Sequence, residues 1–152
     1  MKLPPEWSEL IDLLISHRVR FLIVGAHALA AHGRPRATQD LDLFIDPTRA
    51  NARRVGAAVA DFGYPALAAE WPRFAERDRM ATLGREPLRI DIITSISGVG
   101  FAQAWRGRMR AKYGKRTVGF LGRKELIRNK RASGRAKDLL DIALLEEADP
   151  DE

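Results

Sequence analysis

The spacing of apolar residues along the chain predicts alternating helices and strands. Residues 6–18 place apolar side chains at helical spacing after two prolines, which suit a helix start. Residues 21–24 form a short apolar run typical of a strand, and residues 26–31 are strong helix formers. Gly25 precedes this second helix and Gly33 ends it. A strand, a glycine turn and a helix therefore follow one another without a spacer.

A second strand–helix unit and several shorter elements follow. Acidic and apolar residues alternate over residues 40–45, which predicts a strand, and residues 49–62 predict a helix. The rest of the chain predicts a hairpin of residues 79–83 and 88–94, a helix over 100–109, a strand over 116–120, and helices over 123–132 and 135–147. This order predicts an α/β (or α+β) fold in one domain over residues 1–152, with a core at about 20–120 and C-terminal helices at 122–148.

Composition narrows the classes of protein to which the chain can belong. With 152 residues, of which 45% are hydrophobic, it can close one core, and a separate target-binding domain does not fit. There is no cysteine, so any metal must be held by oxygen or imidazole ligands. No apolar run approaches the about 18 residues that a membrane span requires. We therefore expect a soluble, cytoplasmic protein without membrane contact.

The net charge of +6 is unevenly distributed. Residues 106–137 carry 13 Lys and Arg residues against one acid, Glu125, whereas the rest of the chain carries 13 against 19 acids. Such a basic block can attract phosphate, nucleic acid or an acidic protein, and its binding to polyanions would weaken with salt. It can equally be a solvated basic face.

Two aspartates in the predicted strand over residues 40–45 are the first candidates for chemistry. Because side chains alternate across a strand, Asp40 and Asp42 project from one face, about 7 Å apart along the chain. Like charges so close raise each other's pKa unless a cation lies between them, and Mg²⁺ favours one or two carboxylates completed by water and phosphate. An edge strand with two solvated acids is the structural alternative.

A third aspartate, Asp91, interrupts the apolar run of the second hairpin arm. A charge near the core costs several kcal/mol unless it is paired or bound to metal. If this arm lies beside the first acidic strand, three carboxylates converge on one place. Arg89 shares the face of Asp91 two residues away, so a plain salt bridge is the competing explanation.

The Gly25-Ala26-His27 turn leads directly into a helix, whose free N–H groups and positive dipole end suit a phosphate. A glycine at such a turn is also common for steric reasons alone. His27 and His32 are five residues apart and do not share a helix face, which makes a zinc site unlikely to form there. His27, nearer the turn, is the better candidate for phosphate contact.

The order of these parts resembles the DNA polymerase β-like nucleotidyltransferase superfamily. The matching pieces are Gly25-Ala26, thirteen intervening residues, Asp40-Leu41-Asp42, and Asp91 within RIDII. Within that superfamily the chain is similar to the minimal nucleotidyltransferases and the AbiEii-type toxin group, on the stretches VGAHALAAHGRPRATQDLDLFI and LIRNKRASGRAKDLLDI. The resemblance extends over roughly residues 20–145. Ala26 departs from the family's glycine or serine, so a serine hydroxyl contact is absent.

The resemblance implies an enzyme that transfers a nucleotidyl group from a nucleoside triphosphate (NTP), with Mg²⁺ or Mn²⁺, to a hydroxyl of a protein, an RNA or a small molecule. It implies that Asp40 and Asp42 bind the metal that holds the triphosphate, and that Asp91 helps to hold a second metal and activates the hydroxyl. It also implies a toxin role in a toxin–antitoxin or phage-defence pair, with an antitoxin or other partner protein.

Several further residues are candidate phosphate contacts of a weaker kind. They are Arg36, Thr38, Lys130, Arg135 and Lys137. For Thr38 a capping or turn role competes, and for Lys137 an i,i+4 pair with Asp141 competes, while Asp138 suits a helix start.

Two alternatives to an active enzyme remain open at this stage. One is a non-catalytic basic module that binds nucleic acid or a partner, with the acids only on an edge strand. The other is a degenerate member that binds nucleotide without turnover.

Overall fold

The computed structural model describes residues 3–33 and 40–147, and helices flank a six-stranded sheet. The helices are α1 (Pro5–Ser16), α2 (Gly25–Ala31), α3 (Arg49–Asp61), α4 (Pro65–Ala69), α5 (Phe101–Arg106), α6 (Arg123–Ser133) and α7 (Ala136–Glu147), with a 3₁₀ helix at Trp71–Ala75. The strands are β1 (Phe21–Val24), β2 (Leu41–Ile45), β3 (Met80–Leu83), β4 (Ile90–Ile93), β5 (Met109–Tyr113) and β6 (Arg116–Phe120).

The sheet is mixed, in the order β3-β4-β2-β1-β6-β5. β2 runs parallel to β4 and antiparallel to β1, while β1 runs parallel to β6. The outer pairs, β3 with β4 and β5 with β6, are antiparallel. The acidic strand β2 therefore lies inside the sheet. The alternative in which its acids belong to a solvated edge strand is wrong.

One face of the sheet forms the main core and holds β2 in place. The β2 side chains on that face, Leu41, Leu43 and Ile45, are fully buried. α1 and α3 pack against each other. Buried Asn51 of α3 donates to the backbone carbonyls of Arg20 and Asp46, at 3.1 and 2.9 Å. These bonds tie the start of β1 to the end of β2, so the two central strands are fixed relative to each other.

Most of the predicted elements are confirmed, within a few residues at their ends. The predicted helix over 100–109 is wrong in its second half, because α5 ends at Arg106 and β5 begins at Met109. β5 is an edge strand in which exposed and half-buried positions alternate, so it depends on pairing with β6 and carries little apolar signal. α4 and the 3₁₀ helix were also absent from the predicted elements. Within the described ranges no helix has the length and apolar character to cross a bilayer.

Candidate active site

The parallel pairing of β2 and β4 brings two aspartates together from distant parts of the chain. Asp42 and Asp91 are directly opposite each other in the register of the two strands. Because side chains alternate along each strand, both lie on the face of the sheet opposite the fully buried leucines of β2. Asp40 immediately precedes β2. The expectation that the second hairpin arm lies beside the acidic strand is confirmed.

Asp91 is 5% exposed and hydrogen-bonded through both carboxylate oxygens. The hydroxyl of Thr82, its register partner on β3, donates to Oδ1 at 2.9 Å. Nη2 of Arg89 donates to Oδ2 at 3.2 Å. Thr82 was not among the predicted site residues, although the hairpin register would have placed it opposite Asp91.

Arg89 forms the predicted salt bridge to Asp91 and a second one to Asp40. Its Nη2 lies 2.9 Å from Oδ2 of Asp40, and its Nη1 lies 3.4 Å from Oε1 of Glu86. The competing explanation is thus confirmed as a contact. It does not replace the carboxylate cluster, because one arginine joins two of the three aspartates.

Asp42 is the carboxylate that the surrounding charges stabilise least. Burial, and then the negative charges of Asp91 and Asp40, raise the pKa of Asp42 to about 6. The positive charge of Arg89 acts in the opposite direction and only partly offsets this rise. An acid held in this way gains free energy when a cation approaches.

The oxygen donors of the site suit one hard divalent cation. Mg²⁺ is commonly held by one or two carboxylates together with water and substrate phosphate. Over residues 3–33 and 40–147, no three acidic or imidazole side chains are arranged to hold one metal ion together. Asp42 and Asp91, adjacent across the two strands, are therefore the pair that fits such an ion.

Gly25 permits the close approach of α2 to this pair. Its φ of 69° lies in the left-handed region, and a Cβ at this position would overlap Oδ2 of Asp42. The glycine is thus required by both the turn and the neighbouring carboxylate. Contact of phosphate with the backbone of Gly25 and Ala26 stays a prediction.

His27 lies in the interior behind the cluster. Its ring is edge-on to Trp7 and Tyr113, at centroid distances of 5.0 and 5.7 Å, and Nδ1 lies 3.0 Å from the Tyr113 hydroxyl. Burial lowers the pKa of His27. A phosphate contact by this ring stays a prediction, and the observed packing gives the imidazole a structural role.

A cleft of about 380 Å³ opens at Asp42. Its lining includes Gly25 and Asp42 from the central strands and α2, and Lys130 and Arg135 from the C-terminal part of the chain. Four of the predicted site residues are therefore brought together. Lys137 is exposed and is not part of this lining. Arg36 and Thr38 lie outside the described residues.

Lys130 is held in the cleft wall by acids of α7. Its Nζ lies 2.9 Å from Oδ2 of Asp141 and 3.5 Å from Oδ1 of Asp138, and the lysine is 8% exposed. Asp138 also accepts two hydrogen bonds from Arg135, at 2.7 and 3.2 Å. The buried Asp141 thus faces Lys130 of α6, whereas the sequence had suggested Lys137 as its partner.

A second cavity, of about 290 Å³, adjoins the cleft. The two share Asp78, Ser95 and Ile96 in their linings. Asp78 has a left-handed φ of 57°, and its N–H donates to the Ser95 hydroxyl at 3.0 Å. None of these three residues carried a recognisable signal in the sequence.

The fold is shared with two solved structures. The lincosamide antibiotic adenylyltransferase LnuA, with lincomycin bound, superposes with a TM-score of 0.55 at 12% identity, over 96% of this chain and 98% of that one. A protein of Thermotoga maritima assigned as a nucleotidyltransferase gives 0.54 at 13% identity, over 97% and 91%. No family model matches the sequence, and no curated protein matches it. The predicted fold class, a mixed sheet flanked by helices in one domain, is confirmed.

Proposed function

We propose that this protein is a metal-dependent nucleotidyltransferase, which moves a nucleotidyl group from an NTP to a hydroxyl of an acceptor. The fold shared with two nucleotidyltransferases supports this proposal. The observation that carries it is the pairing of β2 with β4, which sets Asp42 beside Asp91 at a cleft lined by Lys130 and Arg135. Acids and bases at one cleft are what a metal–triphosphate complex requires.

In the proposed reaction the acceptor oxygen forms a bond to the α-phosphorus of the NTP. The bond from that phosphorus to the oxygen bridging to the β-phosphate breaks, and pyrophosphate leaves. The hydroxyl proton passes to a carboxylate, for which Asp91 is the candidate. Lys130 and Arg135 supply positive charge near the departing phosphates. A Mg²⁺ or Mn²⁺ ion on Asp42 and Asp91, when bound, would neutralise phosphate charge there.

The cavity beside the cleft is our candidate place for the acceptor. It meets the cleft at Ser95 and Ile96, so a group held in it has a short path to Asp42. Its volume suits a single side chain, a nucleotide end or a small molecule. The basic segment over residues 106–137 would assist an acidic acceptor such as RNA.

The experiment that tests the reaction uses each α-³²P-labelled NTP in turn, with Mg²⁺ and fractions of cell RNA, protein and small molecules. The parent is expected to label one fraction and to release pyrophosphate. Asp42→Asn should lose the transfer, whereas Asp61→Asn, which alters an exposed carboxylate paired with His17, should retain it. Equal labelling by the parent and Asp42→Asn would refute the assignment.

The same proposal includes a role as the toxin of a toxin–antitoxin or phage-defence pair, with an antitoxin as partner. This part rests on the resemblance of two stretches of the sequence to AbiEii-type toxins. Expression of the parent should arrest growth, and Asp42→Asn should not. Arrest that persists in the Asp42→Asn strain would separate toxicity from nucleotidyl transfer.

A non-catalytic binding module makes opposite predictions. It would bind RNA or DNA in a salt-sensitive manner without Mg²⁺, and Asp40→Asn would leave that binding intact. Tight, metal-dependent NTP binding without pyrophosphate release would instead identify a member that binds nucleotide but has lost turnover.

A further inference from the structure

The guanidinium of Arg89 lies between two of the three site carboxylates. Its Nη2 atom donates to both Asp40 and Asp91, at 2.9 and 3.2 Å. The backbone also holds this residue in place, because the Arg89 carbonyl accepts a hydrogen bond from the Leu41 N–H at 3.0 Å. The arginine is therefore anchored to the start of the acidic strand by its main chain and by its side chain.

The charges at the site leave room for one divalent ion. Asp40, Asp42 and Asp91 contribute three negative charges and Arg89 contributes one positive charge. Two negative charges remain, which one divalent cation neutralises. A second divalent ion would have to bind close to the guanidinium, where like-charge repulsion opposes it.

The hydrogen bonds show where that one ion would lie. Arg89 takes Oδ2 of both Asp40 and Asp91, and the Thr82 hydroxyl takes Oδ1 of Asp91. Each carboxylate oxygen can accept more than one partner, so Asp91 can still serve as a ligand. Asp42 lies opposite Asp91 and lines the open cleft. Asp40, half-buried and joined to Arg89, lies on the arginine's side of the cluster.

We propose that Arg89 is a built-in cation of this site, which takes the place of a second metal ion and limits the cluster to one divalent ion on Asp42 and Asp91. This inference rests on the proposed function, and it differs from the two-metal arrangement that the resemblance implies. In it, Arg89 and Asp40 are positioning residues: Asp40 holds the guanidinium, and the guanidinium orients Asp91.

The test counts bound ions with Mn²⁺ alone as the probe, from the loss of the free-ion signal in electron paramagnetic resonance. The parent should bind one Mn²⁺ per chain, and Arg89→Met should bind two, the first about tenfold or more tightly than the parent, because a unit positive charge has been removed a few ångströms away. Arg79→Met is the matched control. Arg79 precedes β3 as Arg89 precedes β4, and it pairs only peripherally, with Glu76 at 3.3 Å. It should bind one ion with the affinity of the parent.

Thermal unfolding gives a second readout that does not depend on turnover. In chelator, Arg89→Met should melt below the parent, because three acids lose their only bridging cation, and Mn²⁺ should raise its melting temperature more than that of the parent. If Arg89→Met does not fold without metal, Arg89→Gln keeps a donor for Asp40 without the charge and provides the same comparison.

Two results would overturn the role of Arg89: two Mn²⁺ ions in the parent, or one ion of unchanged affinity in Arg89→Met. The two proposals fail separately. A parent that transfers label but binds two ions retains the proposed function and loses the role of Arg89. A parent that binds no Mn²⁺ and transfers no label loses both.

Discussion

Replacing Asp42 with asparagine should make the metal-free protein more stable at neutral pH while removing its response to metal. The asparagine has nearly the same shape as the aspartate and carries no charge. It also brings an N–H donor toward Asp91, its register partner on β4. The substitution therefore tests the crowding of negative charge directly.

The size of the effect follows from the pKa of Asp42, which burial and the charges of Asp91 and Asp40 raise from 3.8 to about 6. Because the raised pKa means that the folded state prefers the protonated form, the ionised form destabilises the fold at high pH. The difference of about two pH units corresponds to about 3 kcal/mol, and partial solvent exposure of the carboxyl reduces this to about 2 kcal/mol. The penalty is fully present above the folded pKa, declines as the pH falls through about 6, and is gone below 3.8.

The assay is urea unfolding in chelator at about pH 8 and about pH 4. Asp42→Asn should exceed the parent by about 2 kcal/mol at the higher pH and by well under 1 kcal/mol at the lower pH. With Mn²⁺ at the higher pH, the parent should gain stability and the variant should not. Asp61→Asn should differ little from the parent, because its exposed pair with His17 contributes little free energy. A destabilised Asp42→Asn protein in chelator, or a stability gap that does not narrow on acidification, would refute the reasoning.

Two other substitutions test the walls of the cleft. Gly25→Ala and Gly134→Ala both force alanine into a left-handed φ, at 69° and 68°, which costs about 1 kcal/mol each, but only the first also displaces the carboxylate of Asp42. Gly25→Ala should therefore lose at least about 1 kcal/mol more in urea unfolding and should lose stabilisation by Mn²⁺, and equal losses in the two variants would contradict the close approach. Lys130→Met leaves Asp141 buried without its lysine and should cost about 3–5 kcal/mol. The double variant with Asp141→Asn should recover a large part of that loss, and an additive double variant would show that the two groups do not interact.

The amino-acid sequence determined the identity and order of the main elements and most of the acidic site. Apolar spacing predicted α1, α3 and the strand–glycine–helix unit, because an amphipathic helix or a buried strand carries its own periodicity within a few residues. The alternation of acids with leucines likewise predicted that Asp42 faces away from the core. The lone aspartate in the apolar run of β4 could be recognised for the same local reason.

The tertiary structure alone decided what surrounds those residues. The partner of Asp42 lies 49 residues away across a parallel pair of strands, and neither strand's periodicity specifies its neighbour or register. The second salt bridge of Arg89, to Asp40, follows from that same pairing. The burial of Lys130 against α7 and the edge strand β5 likewise depend on contacts between segments. Local pattern fixes which way a side chain faces along its own element, whereas the packing of the whole core fixes what it meets there.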